Sequence, residues 1–541
     1  MKLNDNELTE KSKWEKAGID LFDFNRTAMR KATKEAPTWI HFGAGNIFRA
    51  FPAALQQKLL NEGMDTKGII AVDGYDGEII ERMYRPHDEL SLLVTLKANG
   101  SIEKTVIGSI AESLILDSEN EKEFSRLKEI FRSRSLQMVS FTITEKGYSL
   151  VSGNGNILPD VQADFENGPQ VPKSYIGKLT ALCYERYING GAQPLALVSM
   201  DNCSHNGSKL FDAVHAFALK WTENGLADAG FKAYIENPQK ISFPWSMIDK
   251  ITPRPDDSVK KMLDDVGFED TQSIVTSKKT YVSPFVNAEE AQYLVIEDLF
   301  PNGRPPLDKA GVIFTSRETV DKVEKMKVCT CLNPLHTALA VFGCLLGYTK
   351  ISEEMNDKEL SELVKVIGYK EGLPVVVDPG IISPKAFIDE VLNVRIPNPF
   401  MPDTPQRIAC DTSQKLSIRF GETIKAYIAN EDLNVKDLKM IPLVLAGWCR
   451  YLLGVDDQGN CFDVSPDPMY DVLNEKLAGV ALGQNGPFHD ILKPILSDKK
   501  IFAVDLYEAG LGEVVEADFT ELMAGVGAIR ATLKRHLSND K

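Results

Sequence analysis

Positive charge is in short supply in this chain. Its 61 Lys and Arg face 77 Asp and Glu, leaving a formal net charge of −16 over 541 residues. A field of that sign repels a polyphosphate backbone and argues against nucleic acid as a partner. It leaves room for a small anionic substrate, because a few Lys and Arg side chains can hold a carboxylate inside an acidic protein. Long hydrophobic runs are also missing. The most apolar stretches, 338–346 and 440–448, fall short of the roughly 20 residues that span a bilayer, so no membrane association is expected. Residues 1–20 mix charges and lack the apolar core of a secretory signal. Cysteine is scarce: eight in so long a chain, with Cys183, Cys344 and Cys449 in apolar surroundings. These read as reduced, buried thiols rather than a disulfide framework, which places the protein in the cytoplasm. Neither internal repeats nor low-complexity segments are present. The length suggests two to four domains, with large α/β units favouring the low end.

What is there begins with a strand–turn–helix–strand pattern. Residues 38–42 form a short β-type run ending in Gly43-Ala44-Gly45, and Phe48, Phe51, Ala54, Leu55 and Leu59 then recur at helical spacing. A second strand covers 68–73, and a helix containing Ile79, Ile80 and Met83 follows. Such a βαβ unit implies a parallel sheet. Further buried-strand runs at 138–143 and 195–200 each precede a polar turn and a helix-like stretch. From about Ala288 helical periodicity takes over, through 320–347, 358–367, 384–392, 416–429, 441–453 and 519–537. The expected fold is α/β: a Rossmann-like dinucleotide-binding domain over 1–287 and a mainly α-helical substrate and catalytic domain over 288–541.

The first glycine turn is the candidate nucleotide site. Gly43 and Gly45, followed by Asn46, Ile47 and Phe48, supply G-x-G directly after a strand and at the start of a helix. Glycines there allow a tight turn and close approach of backbone N–H groups to a pyrophosphate. Phe48 stands where the third glycine of the usual motif would be, so the motif alone does not separate a nucleotide site from an ordinary turn. Asp73, at the end of the second strand, is placed to accept from ribose hydroxyls and to repel a 2′-phosphate, which favours NAD as the cofactor. Asp76 is the alternative for that role. Arg49 is a candidate phosphate or substrate contact, or a surface charge on the first helical turn.

Three more segments are unusually polar for their apolar settings. Ser140 to Tyr148, with Thr144 and Glu145, lies at the end of a buried strand, where ligands sit in open α/β sheets. Val198 to Gly207, with Asn202, occupies a second strand end. The third runs from Glu324 through Lys327, Cys329, Cys331 and Asn333 to His336 and into an apolar helix. Cys329, Cys331 and His336 can be drawn as a metal site. The C-x-C spacing and the absence of a second pair weigh against it, so no metal is expected.

These segments, in this order, resemble the long-chain polyol dehydrogenase family of mannitol 2-dehydrogenase, fructuronate reductase and tagaturonate reductase. The resemblance runs from about Trp39 to about Gly454. It includes Val106-Ile107-Gly108-Ser109-Ile110, Thr142-Ile143-Thr144-Glu145-Lys146-Gly147-Tyr148, Asp201-Asn202 with His205-Asn206-Gly207, and Asp249-Lys250-Ile251-Thr252-Pro253. It implies metal-independent hydride transfer with a lysine acid/base. Lys327 matches that lysine, with Lys325 as a fallback. Asn202 and Asn333 match asparagines that hydrogen-bond the reacting oxygen, and His336 matches a histidine of the substrate pocket. Glu324 falls where the family has a carboxylate that passes protons between lysine and water. Arg407 and Lys415 match substrate-contacting basic residues. The chemistry is sensible on its own terms, since hydride delivery to a ketone builds negative charge that an ammonium stabilises and neutralises. One departure stands out. Most of the family places the lysine five residues before the asparagine, whereas Lys327 and Asn333 are six apart, and along a regular helix one extra residue turns a side chain by about 100°.

Within the family, Cys331-Leu332-Asn333-Pro334-Leu335-His336 and the chain length look most like fructuronate reductases. That implies reversible NADH reduction of D-fructuronate to D-mannonate, in hexuronate catabolism. A sugar acid needs a cation, and Arg407, Lys415 and Arg419 are available in one segment; the sequence does not choose among them. Tagaturonate reductase and mannitol 2-dehydrogenase remain alternatives, as does a nucleotide-binding sensor without turnover. The protein is expected to be a monomer or a dimer.

Overall fold

The computed structural model describes residues 1–255 and 257–539. The chain forms two compact units, one of Met1–Lys97 with Ser101–Asp321, the other of Ala98–Gly100 with Lys322–Lys541.

The first unit is built on a six-stranded sheet. Its strands are β1 (Trp39–Phe42), β2 (Ile69–Asp73), β3 (Ile110–Ile115), β4 (Met138–Phe141), β5 (Leu195–Ser199) and β6 (Ile241–Ser242). Their order is β3-β2-β1-β4-β5-β6, and every neighbouring pair is parallel. This is the doubly wound dinucleotide-binding arrangement, with the reversal of strand order between β1 and β4. Strands β1, β2, β4 and β5 are buried at every position, which explains why they read as continuous apolar runs rather than alternating ones. Alternation appears instead between two cores. Ile40, Phe42, Val139, Phe141 and Leu197 point into one layer with Phe124, Leu179 and Trp221. Trp39, Ile69, Met138 and Val198 point into the other with Phe48, Phe51 and Leu55. The helices Glu121–Arg132 and Tyr175–Ile188 are capped by Asn120 and Ser174, whose side chains accept from Glu123 N and Gly177 N.

The domain change expected at 287/288 is corrected to 321/322. Strand Phe285–Glu289 pairs in parallel with Ser91–Leu96. Strand Tyr293–Glu297 pairs with Ser246–Asp249 and Ile313–Thr315. Backbone pairing thus keeps residues 285–315 in the first unit, beyond the point where its apolar pattern fades.

The second unit is helical. At its heart lie Asn333–Leu346 and Met440–Tyr451, the latter buried at all twelve positions. Gly447 lets the second of these approach Phe342, whose ring a Cβ would meet at 2.9 Å. An apolar helix start still needs acceptors for its first N–H groups. Here the Glu371 carboxylate accepts from Lys439 N, Met440 N and Ile441 N at 2.6–2.8 Å. Arg317–Leu346 taken as one run is long and apolar enough to cross a bilayer by length and composition, beyond what the apolar stretches alone indicated. However, 78% of its apolar window is buried within the folded chain, as in a core helix.

Glu354 is an unusual member of this core. It is fully buried, and neither carboxyl oxygen has a hydrogen-bond partner among the described residues. It packs where Gly343 leaves space, since a Cβ there would lie 2.1 Å from Oε1. Burial, reinforced by Asp357, pushes its pKa up to about 9 from an ordinary 4.5. Between those values the folded state holds a proton that the unfolded chain releases, so stability falls as pH rises, by up to about 1.4 kcal/mol per pH unit. Glu354→Met is therefore expected to gain on the wild type in urea midpoint progressively from pH 5 to pH 8.5. A gap that stays constant across that range would show that the carboxyl is not held protonated.

Candidate active site

In the first unit the expected nucleotide residues gather at the carboxyl ends of β1, β2 and β4. Gly43 has φ +104°, and a Cβ there would lie 2.1 Å from the Thr142 carbonyl oxygen, so only glycine fits. Gly45 precedes the helix Asn46–Ala50 and has open space around it. Ile47 is half-buried and Phe48 fully buried, its ring stacked on His41 at 4.2 Å. His41 itself bridges Ser140 Oγ (2.7 Å) and Thr142 Oγ1 (2.8 Å), and burial lowers its pKa to about 3. A neutral imidazole thus ties β1 to β4 beneath the loop.

Asp73 ends β2 as expected. Its Oδ2 accepts from Ala44 N at 3.1 Å, and its Oδ1 from Tyr75 N and Asp76 N at 2.9 and 2.7 Å. Burial raises its pKa, and the three N–H bonds oppose the shift. Asp76, the alternative, is buried and accepts from Thr276 Oγ1 at 2.6 Å.

Arg49 requires a correction. It has no exposed surface, and its guanidinium donates to Ser283 O, Ser91 Oγ and the Asn46 side-chain oxygen. It sits beside Phe48 on the inward face of its helix, where it serves as an internal tie that also occupies Asn46. A substrate contact at Arg49 has no surface on which to form.

The loop after β4 carries a constraint that sequence reasoning did not find. Thr144 has φ +66° and ψ +160°, a conformation that costs a β-branched residue of order 1–3 kcal/mol. It is held by Asp201, whose carboxylate accepts from Thr144 N (2.8 Å), Ile143 N (3.0 Å) and Tyr148 Oη (2.5 Å). Asp201 is itself buried, which raises its pKa against these three bonds. Its carbonyl accepts from Asn206 Nδ2, which also bonds Ser246. One carboxylate thus shapes both the loop bearing Thr144 and Glu145 and the turn bearing Asn202, which is exposed. Glu145 is exposed and ion-paired with Lys209. The only sequence sign of this clamp is an acidic residue between a buried strand and Asn202.

In the second unit Glu324, Lys327, Asn333 and His336 follow one another along a single structural run. Residues Arg317–Lys325 are α-helical, Met326–Cys331 form a π-helical turn, and Asn333–Leu346 are α-helical again. Leu332 N donates to the Lys327 carbonyl, five residues back, at 3.0 Å. Such a turn absorbs one residue more than an α-helix, which is how the six-residue spacing between Lys327 and Asn333 is accommodated. Pro334 occupies the first turn of the new helix, where its missing N–H costs nothing. Lys327 is 5% exposed, while Glu324, Asn333 and His336 are half-buried and Lys325 is exposed. Burial pushes the Cys329 and Cys331 thiols up to about 11 and about 12, opposite to what a thiolate ligand needs. They do not converge with His336 among the described residues. Of the basic residues, Arg407 is exposed and paired with Asp403, and Lys415 Nζ donates to the Cys410 carbonyl at 2.5 Å.

Family models match both units: the mannitol dehydrogenase Rossmann domain over residues 37–309 and the mannitol dehydrogenase C-terminal domain over 319–523. The chain belongs to the mannitol dehydrogenase family. It is accordingly an oxidoreductase, an NAD-type dehydrogenase acting on a CH–OH group. It is 51% identical to a D-mannonate oxidoreductase of Thermotoga maritima, over 99% of this chain and 98% of that protein. Among solved structures, a Pseudomonas fluorescens mannitol 2-dehydrogenase in ternary complex with NAD and D-mannitol is 26% identical, with TM-score 0.68, covering 99% of this chain and all of that one. A substrate-free D-sorbitol dehydrogenase, 24% identical, shares the fold with TM-score 0.80 over 98% of this chain and all of its own.

The Asp201 clamp can be tested without any ligand. Each bond from a backbone N–H to a carboxylate contributes about 1.5–3 kcal/mol. Asp201→Asn is therefore expected to speed hydrogen–deuterium exchange at Ile143 and Thr144 at least about tenfold. Protection unchanged from wild type would mean that Asp201 does not hold the loop.

Proposed function

We propose that this protein is a cytoplasmic fructuronate reductase, catalysing reversible NADH-dependent reduction of D-fructuronate to D-mannonate in hexuronate catabolism. The reading rests on one conjunction: full-length similarity to a D-mannonate oxidoreductase, with Lys327, Asn333 and His336 carried by one π turn and the helix that continues it. The free state of all eight cysteines fits a reducing compartment.

The residues of the first unit fit a dinucleotide. Gly43 keeps the loop close to β4, Gly45 leaves open space for a pyrophosphate, and Asp73 offers a carboxylate that accepts from ribose hydroxyls and repels a 2′-phosphate. Thr144 and Glu145 complete the loop edge that would hold the cofactor. NADH, when bound, supplies the hydride. As negative charge develops on the substrate oxygen, Asn202 and Asn333 donate amide N–H bonds to it without competing for the proton. The Lys327 ammonium then delivers a proton to that oxygen and becomes an amine. Glu324 returns a proton to it from water. His336 orients the substrate by hydrogen bonding, and Lys415 and Arg407 contact the substrate. Oxidation of D-mannonate runs the same proton path backwards.

The test is NADH oxidation by the purified protein with D-fructuronate, D-tagaturonate and D-fructose, without added metal. The expected order of kcat/KM places D-fructuronate first, with NADH preferred to NADPH. D-Tagaturonate or D-fructose in first place would reassign the protein within its family, and NADH binding without turnover would make it a sensor. Lys327→Ala is expected to lower kcat about 10²–10⁴-fold while leaving NADH affinity, read by fluorescence titration, within a few-fold of wild type. Equal activity in the variant would remove Lys327 from the reaction.

A further inference from the structure

The helical unit holds three cations in the segment facing the catalytic run, and they differ in what balances their charge. Arg407 is exposed and paired with Asp403. Lys415 is half-buried, with Asp411 and Asp467 among the charges acting on it. Arg419 has no acidic partner among the described residues. The charged side chain beside it is Lys415, a second cation one helical turn away. Its one hydrogen bond among the described residues runs from Nη1 to Thr337 Oγ1 at 2.6 Å, and Thr337 Oγ1 in turn donates to the Asn333 carbonyl at 2.9 Å. Thr337 shares a helix face with Asn333 and His336. The turn bearing Arg419, Ser417–Gly421, packs against both the Lys327 turn and the Asn333 helix.

A guanidinium partly withdrawn from water needs either a counter-ion or a full set of acceptors, such as the three neutral oxygens around Arg49; half-buried Arg419 has one hydroxyl. For Arg419 burial alone drives the shift, lowering its pKa to about 10. The positive charge is compensated once an anion arrives from outside the chain. Carboxylate suits a planar fork with several donors still open.

We propose that Arg419 is the residue that recognises the substrate carboxylate, and that it thereby separates sugar acids from neutral ketoses and polyols. Thr337 orients the guanidinium through the helix that carries Asn333. Identification of the anion as a sugar acid rests on the fructuronate reductase reading; the unpaired cation does not. The proposal distinguishes Arg419 from Arg407, whose charge is already balanced at the surface.

The experiment compares wild type, Arg419→Met and Arg419→Lys in two assays. The first is kcat/KM for D-fructuronate against D-fructose. Arg419→Met is expected to lower the value for D-fructuronate about 100-fold, mainly through KM, and to shrink the ratio of the two substrates by a similar factor. Arg419→Lys keeps the charge but not the fork and should fall between. The second assay is calorimetric binding of D-mannonate against D-mannitol in the presence of NADH, which needs no turnover. Wild type should favour D-mannonate, and Arg419→Met should erase the preference. Equal losses for charged and neutral ligands, or a preference that survives the substitution, would overturn the proposal. Should the wild type fail to reduce D-fructuronate, the functional reading falls on its own; the binding comparison still decides Arg419, and equal wild-type affinity for D-mannonate and D-mannitol would overturn it.

Discussion

Parallel strands end in exposed backbone groups and must be followed by loops whose polar atoms find partners without a regular ladder. In the Rossmann unit that demand converges on the Asp201 carboxylate. It accepts two consecutive backbone N–H groups from the loop after β4 and the hydroxyl of Tyr148, while the peptide it belongs to is fixed through Asn206. The strained Thr144 conformation persists because these bonds over-determine it. The same loop begins at Thr142, against which Gly43 closes to a distance no side chain tolerates. The nucleotide turn, the β4 loop and the Asn202 turn thus depend on a common set of short polar contacts.

The helical unit meets the problem of buried charge in three ways. Glu371 spends its carboxylate on the bare N–H groups of a helix start. Glu354 retains its proton in an apolar cavity made by Gly343. Arg419 stays charged and half-exposed, bonded to a neutral hydroxyl. The first arrangement is structural, the second is a cost borne at neutral pH, and the third leaves donors open to an anion from outside the chain.

Much of this was legible beforehand because it follows from period and position. Mostly apolar runs at 38–42, 68–73, 138–143 and 195–200 became β1, β2, β4 and β5, and the glycine turn and Asp73 lie at the strand ends where the doubly wound order puts them. What escaped depends on contacts distant in sequence. Strands 285–289 and 293–297 look like the start of a new domain until their pairing partners are known. The helical stretch 519–537 is two helices, parted where Gly525 and Gly527 take positive φ. Arg49 looked like a surface cation because its residue type is usually exposed; its carbonyl partner, Ser283, lies far along the chain. The candidate catalytic residues of the second unit were named from motif resemblance, and the π turn that spaces them was not visible in composition.

That turn makes the separation of Lys327 from Asn333 a matter of residue count rather than residue identity. The i→i+5 bond at Leu332 exists only while one more residue is present than an α-helix would use. Loss of one residue between Val328 and Leu332 would restore regular winding and turn the lysine by about 100° around the axis relative to Asn333. Helices on either side could keep their packing through such a change. A single-residue insertion or deletion inside the turn would therefore reset the winding between Lys327 and Asn333 even where every side chain around it is kept.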